Sequence, residues 1–479
     1  MGKLYYFGIG GTGSRVLKSL LMLLSAGVKL NATEVVPIII DPDKGAADMA
    51  RTADLVREYQ QLHAHAKKIA ATSDKADEDR FFATKVSLRK CGLVLPLASQ
   101  CNKRFEEAVG YNAMEKEQKA IVQLLFSPEV RKMSMEVGFK GNPNMGSIVL
   151  NQFDGSEEFQ DFLNDFQTGD RIFIAGSIFG GTGASGFPLL VKTLRNLDAL
   201  PGNVSNKQAI KESAIGGAIV LPYFAVKKDD DSAIDSSTFY SKTIAALGYY
   251  EENLTELNNL YYIGDNCTAA LENVEGGAGQ KNPAHFIELA SALAIYDFME
   301  TDDVAWEGGQ HRYKEYALKD EVSDTQKLDF RHLCDNDRLR IAPGLTQLLL
   351  FVNYLRNHLS DAEKQPWHIQ LGRIFQSPFK RSSLDKIIEM YSTWLAELEG
   401  LGNQRSFAPF ALEANPDQPF GIVVGYPEKR GFFAKKDYVL FNDKLNTAFK
   451  SCKGSTDEAK VLEIFYAATR AIVKEKFIF

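Results

Sequence analysis

Gly8-Ile9-Gly10-Gly11-Thr12-Gly13-Ser14 follows directly on the apolar run Leu4-Tyr5-Tyr6-Phe7 and leads into Val16, Leu17, Leu20, Leu21 and Leu24, spaced as one face of a helix. Strand, glycine loop and helix in that order point backbone N–H groups and the positive end of a helix dipole at an anion. A second stretch repeats the arrangement. Arg171-Ile172-Phe173-Ile174-Ala175-Gly176 reads as a strand, Gly180-Gly181-Thr182-Gly183-Ala184-Ser185-Gly186 as the loop, and Leu189, Leu190, Leu194 and Leu197 as the helix. Glycine suits such loops because a Cβ would block close approach of a phosphate. One loop of this kind is a weak signal. Two, of different pattern, point to a nucleotide whose phosphates are gripped from two sides.

Composition narrows the class. A chain of 479 residues is long enough for two or three domains. Its 45% hydrophobic and 24% charged content fits an ordinary globular protein. A net charge of −7 argues against general nucleic-acid or acidic-membrane binding. Cys91, Cys101, Cys267, Cys334 and Cys452 are scattered without ligand spacing, as expected of reduced thiols in a cytoplasmic protein. The first residues run straight into a strand, so no signal peptide is expected. Apolar stretches such as Leu20–Leu24 and Leu348–Val352 are too short for a membrane span.

The first 49 residues read as a βαβ unit, closing with the strand Val35-Val36-Pro37-Ile38-Ile39-Ile40 and the turn Asp41-Pro42-Asp43. The default is a mostly parallel, Rossmann-like α/β sheet flanked by helices, with its ligand at the carboxyl ends of the strands. Residues 50–137 are charge-rich and read as a helical insertion. A turn-rich loop, Gly138-Phe139-Lys140-Gly141-Asn142-Pro143-Asn144-Met145-Gly146, precedes a polar helix near 154–167. Strands at 216–224 and 260–263 bracket a helix near 237–253, and a strong helix begins at Pro283 and runs to about 300. Residues 301–479 read as a separate, largely helical C-terminal domain, with helices near 344–359, 383–399 and 456–475 and one strand at Phe420–Val424.

These segments resemble the tubulin/FtsZ superfamily of GTPases, of a divergent prokaryotic kind. Four loops carry the likeness, in the family's order. Gly8–Gly13 fits GxGGxG, and Asp41 and Asp43 supply the acidic residue after the next strand. Gly138–Gly146 fits GxxxNPxxG, with Asn142, Pro143 and Gly146 in place. Gly180–Gly186 fits the GGTG[ST]G-like signature with Ala184 inserted before Ser185-Gly186. The likeness spans roughly 1–49 and 138–300. It implies a GTP-binding domain over 1–300, with the insertion at 50–137 and a central helix at 283–300.

The resemblance also implies roles. Backbone amides of Gly10, Gly11, Thr12, Gly13 and of Gly180, Gly181, Thr182 and Gly183 would cradle the phosphates of GTP or GDP. Hydroxyls of Thr12, Ser14, Thr182 and Ser185 would donate to phosphate oxygens, and Gly141 and Asn142 would close over the γ-phosphate. Asp41 or Asp43 would lie near Mg²⁺ and its waters; no direct metal ligand is assigned. Asp265 or Asn266 would read the base, with His285 and Glu288 as further base contacts and the Asp229–Asp231 run near the ribose. Glu288 would favour guanine by accepting from N1–H and N2–H₂.

The family's acidic NxDxxD motif after the central helix has no full counterpart here. Asp329, in Leu328-Asp329-Phe330-Arg331-His332, and Glu307 are the catalytic candidates, with Asp303 another. The resemblance implies GTP hydrolysis with head-to-tail assembly into homo-oligomers or filaments. An alternative is a non-hydrolysing, nucleotide-gated switch recruiting a partner protein through 50–137 or the C-terminal helices. The first loop with Ile38-Ile39-Ile40-Asp41 also resembles E1-like adenylating enzymes, which accounts for neither of the other two glycine-rich loops. Plain structural readings stand beside these: Asp-Pro-Asp is a common turn, Glu288 suits any helix start, and Asp329 suits a helix cap.

Overall fold

The computed structural model describes the chain apart from residues 1, 44, 70–78, 96–102, 136–137, 140, 152–155, 200–205, 227–235, 266–269, 272–276, 280, 307–311, 316–326, 401–405, 414–417 and 430–435. Asn266, Glu307 and Asp229–Asp231 therefore lie outside the described residues.

Among the described residues one large sheet is built from seven strands: β1 (Leu4–Ile9), β2 (Glu34–Ile40), β3 (Lys85–Val86), β4 (Arg171–Ser177), β5 (Ile215–Val220), β6 (Asn259–Ile263) and β7 (Arg312–Glu315). All neighbours run parallel, in the order β3-β2-β1-β4-β5-β6-β7. β1 is buried along its whole length, as a central parallel strand covered on both faces must be. Ile9 is level with Ile40 on one side and Gly176 on the other. From β1 the chain first builds toward β3, then crosses to β4 on the other side. The β1–β4 boundary is thus the point where strand order reverses, the place where open α/β sheets hold ligands.

β2 contains Pro37, which lacks the donor a ladder needs. The backbones of Val35 and Ile39 face the β3 side, bonding Ser87, Leu93 and Leu95. Pro37, two residues from each, faces the same side, in the gap between the β3 pairing and the Ile39–Val94 bridge. Its missing N–H therefore costs no bond.

The labelled helices are α1 (Gly10–Ser25), α2 (Ala47–Ala66), α3 (Pro143–Leu150), α4 (Glu157–Asp165), α5 (Gly181–Arg195), α6 (Ser236–Asn253), α7 (Phe286–Glu300), α8 (Asp335–Asn357), α9 (Asp385–Glu399), α10 (Asp437–Ser451) and α11 (Asp457–Lys476). Adjacent glycines in β5 let helices close on both faces. A Cβ on Gly216 would run into Phe298 of α7, and one on Gly217 into Phe187 of α5. α1 packs on α7, α2 and α8, and α11 packs on α8, α10 and α2. Phe81 stacks on Phe351 of α8 at 5.5 Å and meets Tyr466 of α11 edge-on at 5.0 Å, joining the segment after α2 to the C-terminal helices. Among the described residues no helix is long and apolar enough to cross a membrane.

Four features differ from the sequence reading. The segment Phe420–Val424 is a run of turns with one bridge, Val423 to Phe410, rather than a strand; Gly421 and the positive φ of Gly425 (75°) bend it. β7, within the polar stretch after 300, joins the main sheet. β3, from within 50–137, joins its other edge, and α2 begins before residue 50.

Candidate functional site

Both glycine loops open directly into helices at the carboxyl edge of the sheet, on either side of the β1–β4 boundary. α1 starts at Gly10 and α5 at Gly181. Neither N-terminus is capped by a side chain, and neither first turn contains an acidic residue. Two helices of 16 and 15 residues thus present backbone N–H groups that intrahelical bonding leaves unpaired. Gly10 has φ +70°, which favours glycine, and its Cα faces the Thr182 side chain; a Cβ there would stand 3.5 Å from that of Thr182. The two loops are neighbours.

The third loop lies on the second. A Cβ on Gly181 would stand 3.1 Å from the Asn142 backbone nitrogen and 3.2 Å from that of Gly141, and one on Gly146 would overlap the Ser185 hydroxyl. Gly141, at φ +71°, presents its carbonyl to Lys242 Nζ of α6 at 2.6 Å. Asn142 Nδ2 donates to the Phe139 carbonyl at 3.1 Å. The Asp41-Pro42-Asp43 turn is alongside: a Cβ on Gly138 would stand 4.0 Å from both Pro42 Cγ and Thr182 Oγ1. Four segments far apart in sequence therefore share one place.

The hydroxyls divide. Ser14 and Ser185 donate to carbonyls one helical turn back, Gly10 at 3.3 Å and Gly181 at 2.7 Å. Thr12 Oγ1 accepts from Arg15 Nη2 at 3.3 Å. The two acids also differ. Asp43 accepts from the backbone N–H of Gly45 (3.0 Å) and Gly277 (2.6 Å). Asp41 accepts from the N–H of Asp43 at 3.0 Å. Burial pushes its carboxyl up to about 7; the Asp43 N–H opposes this, while the charges of Asp43 and Asp48 add to it. Such a carboxylate gains from a cation beside it. Among the described residues no group of three or more His, Cys, Asp or Glu side chains is placed to hold a metal ion.

At the start of α7, His285 is the N-cap and accepts the Ile287 N–H on Nδ1 at 3.2 Å; its ring lies 4.8 Å from that of Tyr223. Glu288 is fully buried. Its Oε1 accepts from Arg15 Nε at 2.5 Å and from the Tyr223 hydroxyl at 3.0 Å, and its Oε2 accepts from the His285 N–H at 3.0 Å. Asp265 lies two residues past the end of β6, at the same edge of the sheet. Asp329 stands apart: it caps a short turn, and Arg331 forks onto it, Nε to Oδ1 at 3.0 Å and Nη2 to Oδ2 at 2.6 Å. Burial would raise the Asp329 carboxyl, but the Arg331 contacts outweigh it and leave it below its ordinary value. The adjacent Phe330 packs among Phe407, Phe410 and Phe479, not among the glycine loops.

The residue that sequence reading passed over is Arg15. It is 5% exposed, and its Nη1 donates to Asp48 Oδ2 at 2.6 Å. The signal was present: a charge directly after the first glycine loop, in a helix whose residues are buried all round.

No protein-family model matches this chain, and no curated protein matches it. Solved structures do. CetZ2 from Haloferax volcanii, a GTPγS-bound protofilament, is 12% identical at a TM-score of 0.30, over 63% of this chain and 61% of that one. TubZ of Bacillus thuringiensis serovar israelensis, a GTPγS-form protofilament, is 13% identical at 0.27, over 71% and 67%. CetZ from Methanosaeta thermophila strain DSM 6194 is 15% identical at 0.24, over 55% and 46%. The chain thus spans about three-fifths of the length of the first of these structures.

Proposed function

We propose that this chain is a cytoplasmic, tubulin-like protein that binds GTP with Mg²⁺ and hydrolyses it to GDP and phosphate, self-assembling head to tail. The observation that carries the reading is the meeting of two uncapped helix N-termini with the Gly138–Gly146 loop and the Asp41-Pro42-Asp43 turn at the point where strand order reverses. Backbone amides of both glycine loops hold the phosphates, and Asn142 covers the terminal one. Asp41 would hold a hydrated Mg²⁺ through its waters, and the ion would supply neutralisation of the charge that develops on the departing GDP. Hydrolysis of this kind rests on positioning and electrostatics, with an acidic group orienting water. Asp329 and Glu307 are the candidates, and Asp329 takes that part only by leaving Arg331. A contact that joins unlike faces of identical copies propagates as an open filament when its rotation does not close.

The test is GTP and ATP turnover at several protein concentrations with Mg²⁺, with polymer pelleted from the same samples. Guanine-specific turnover that steepens with concentration, with polymer in the pellet, is expected. A second reading, a nucleotide-gated switch without turnover, is favoured by the Arg331 fork that occupies Asp329. Tight GTP binding with neither turnover nor polymer would establish it in place of the first, and pyrophosphate release from ATP would replace both with an adenylating enzyme.

A further inference from the structure

We infer that Arg15 is a positioning residue that clamps the first phosphate loop to α2 and α7, and that Glu288 acts on Arg15 rather than on a base. This rests on the nucleotide-binding reading above. Arg15 reaches three elements at once: Thr12 Oγ1 in the loop (3.3 Å), Asp48 of α2 (2.6 Å) and Glu288 of α7 (2.5 Å), with the Tyr223 hydroxyl at 3.0 Å. Its Nη1 lies 3.5 Å from where a Gly11 Cβ would stand.

Both oxygens of Glu288 are engaged: three donors reach them, and no part of the residue is exposed. For it to meet guanine N1–H and N2–H₂, Arg15 would have to lose a buried carboxylate partner, and stranding a buried charge in that way is strongly unfavourable. Burial alone would lower the Arg15 pKa; the facing Tyr223, Glu288 and Asp48 more than offset it, so the guanidinium stays charged.

The clamp continues outward. Asp48 also accepts from Arg51 Nη2 at 2.6 Å and from the Asn282 amide at 3.0 Å. Glu397 of α9 accepts from Arg51 Nη1 and Lys18 Nζ, both at 2.8 Å, and from the Ala284 N–H at 3.0 Å. Three cations and three carboxylates (Arg15, Lys18, Arg51, Asp48, Glu288, Glu397) cancel. The lattice therefore fixes geometry without adding net attraction for phosphate, which is left to the helix N-termini.

Binding of GTP, ATP and inorganic tripolyphosphate to the full chain, before and after Glu288→Gln and Tyr223→Phe, tests the assignment. A positioning role predicts that Glu288→Gln weakens every ligand the wild type binds by a common factor, about tenfold, and leaves the GTP-to-ATP ratio unchanged. Tyr223→Phe should give a smaller loss in the same proportion. A loss confined to GTP would make Glu288 a base reader and overturn the inference. If the wild type binds none of the three, the nucleotide reading fails instead. The Arg15–Glu288 pair is then still read by thermal unfolding of Arg15→Gln, Glu288→Gln and the double variant. A double-variant Tm close to that of either single variant supports the clamp, and additive Tm losses sink it.

Discussion

The Tyr250 hydroxyl donates to the carbonyl of Ala184, 2.9 Å away, in the second glycine loop. In an ordinary helix that carbonyl would be bonded by the N–H four residues on, but the residue there is Pro188, inside α5. A side chain of α6 thus supplies the donor that proline cannot, and α6 is tied to the loop at the position where its helix is weakest.

Removing that hydroxyl strands a buried carbonyl. Tyr250→Phe should cost about 1–3 kcal/mol in urea unfolding. Pro188→Ala restores a helical N–H to Ala184, so in the Pro188→Ala background the same tyrosine change should cost well under half as much. Equal costs in the two backgrounds would mean that the hydroxyl is not a replacement donor.

Neighbouring glycines of the first loop should separate folding from binding. A Cβ on Gly13 would fall 2.5 Å from the Gly8 carbonyl carbon and 2.7 Å from the Ala175 oxygen, so Gly13→Ala is expected to lose roughly 1–3 kcal/mol of stability through overpacking. On Gly11 the nearest atom is Arg15 Nη1 at 3.5 Å, an ordinary contact. Gly11→Ala should leave stability unchanged or slightly raised, yet weaken nucleotide binding tenfold or more, because the methyl occupies the phosphate's approach. Calorimetry of binding alongside thermal unfolding separates the two; intact binding by Gly11→Ala would place the phosphates elsewhere.

Asp41 gives the ligand-free protein a pH dependence of defined sign. Its folded-state carboxyl is raised to about 7, so the native state holds a proton that the unfolded chain has released. Ionising it costs stability as pH rises from about 4 to about 7, on the order of 4 kcal/mol for the whole shift. Asp41→Asn should therefore unfold like the wild type near pH 4 and be the more stable of the two at pH 8. Mg²⁺ with nucleotide should narrow the gap by stabilising the carboxylate. A gap of equal size at both pH values would rule out this titration as its source.

Asp329 carries the opposite sign. Its carboxyl lies below its ordinary value, so its contribution is present above the usual carboxylate range and is lost as pH falls through the folded-state value. Arg331 is more than half exposed, and Asp329→Asn should cost no more than about 1 kcal/mol at neutral pH. Unfolding at pH 7 and pH 3 reads the difference, and a larger loss at pH 3 than at pH 7 would contradict it.

Much of the sheet could be read in advance because periodicity and glycine placement are local. β1, β2 and β4 are continuous apolar runs, and each glycine loop announces the helix it opens. What escaped depends on distant partners. Arg15 is one charged letter in an apolar helix, and only the arrival of Asp48 and Glu288, 33 and 273 residues away, gives it meaning. Glu288 read alone is a good helix-start acid, and nothing near it in sequence shows that Arg15 and Tyr223 reach it. β7 hid because a four-residue edge strand rich in charge has no apolar signature. Phe420–Val424 read as a strand on residue type, while the glycines at 421 and 425 turned it.

The gap opposite Pro37 bears on how the molecule meets its neighbours in solution. An open sheet invites foreign strands along its unpaired edges, the route by which many α/β proteins aggregate. Here one border is broken into a two-residue pairing and a lone bridge on either side of an imino acid, and the other ends in four residues that include Arg312 and Lys314. Among the described residues neither border offers a long, flat, uncharged template. A chain of this kind can crowd against its own copies without its sheets fusing edge to edge.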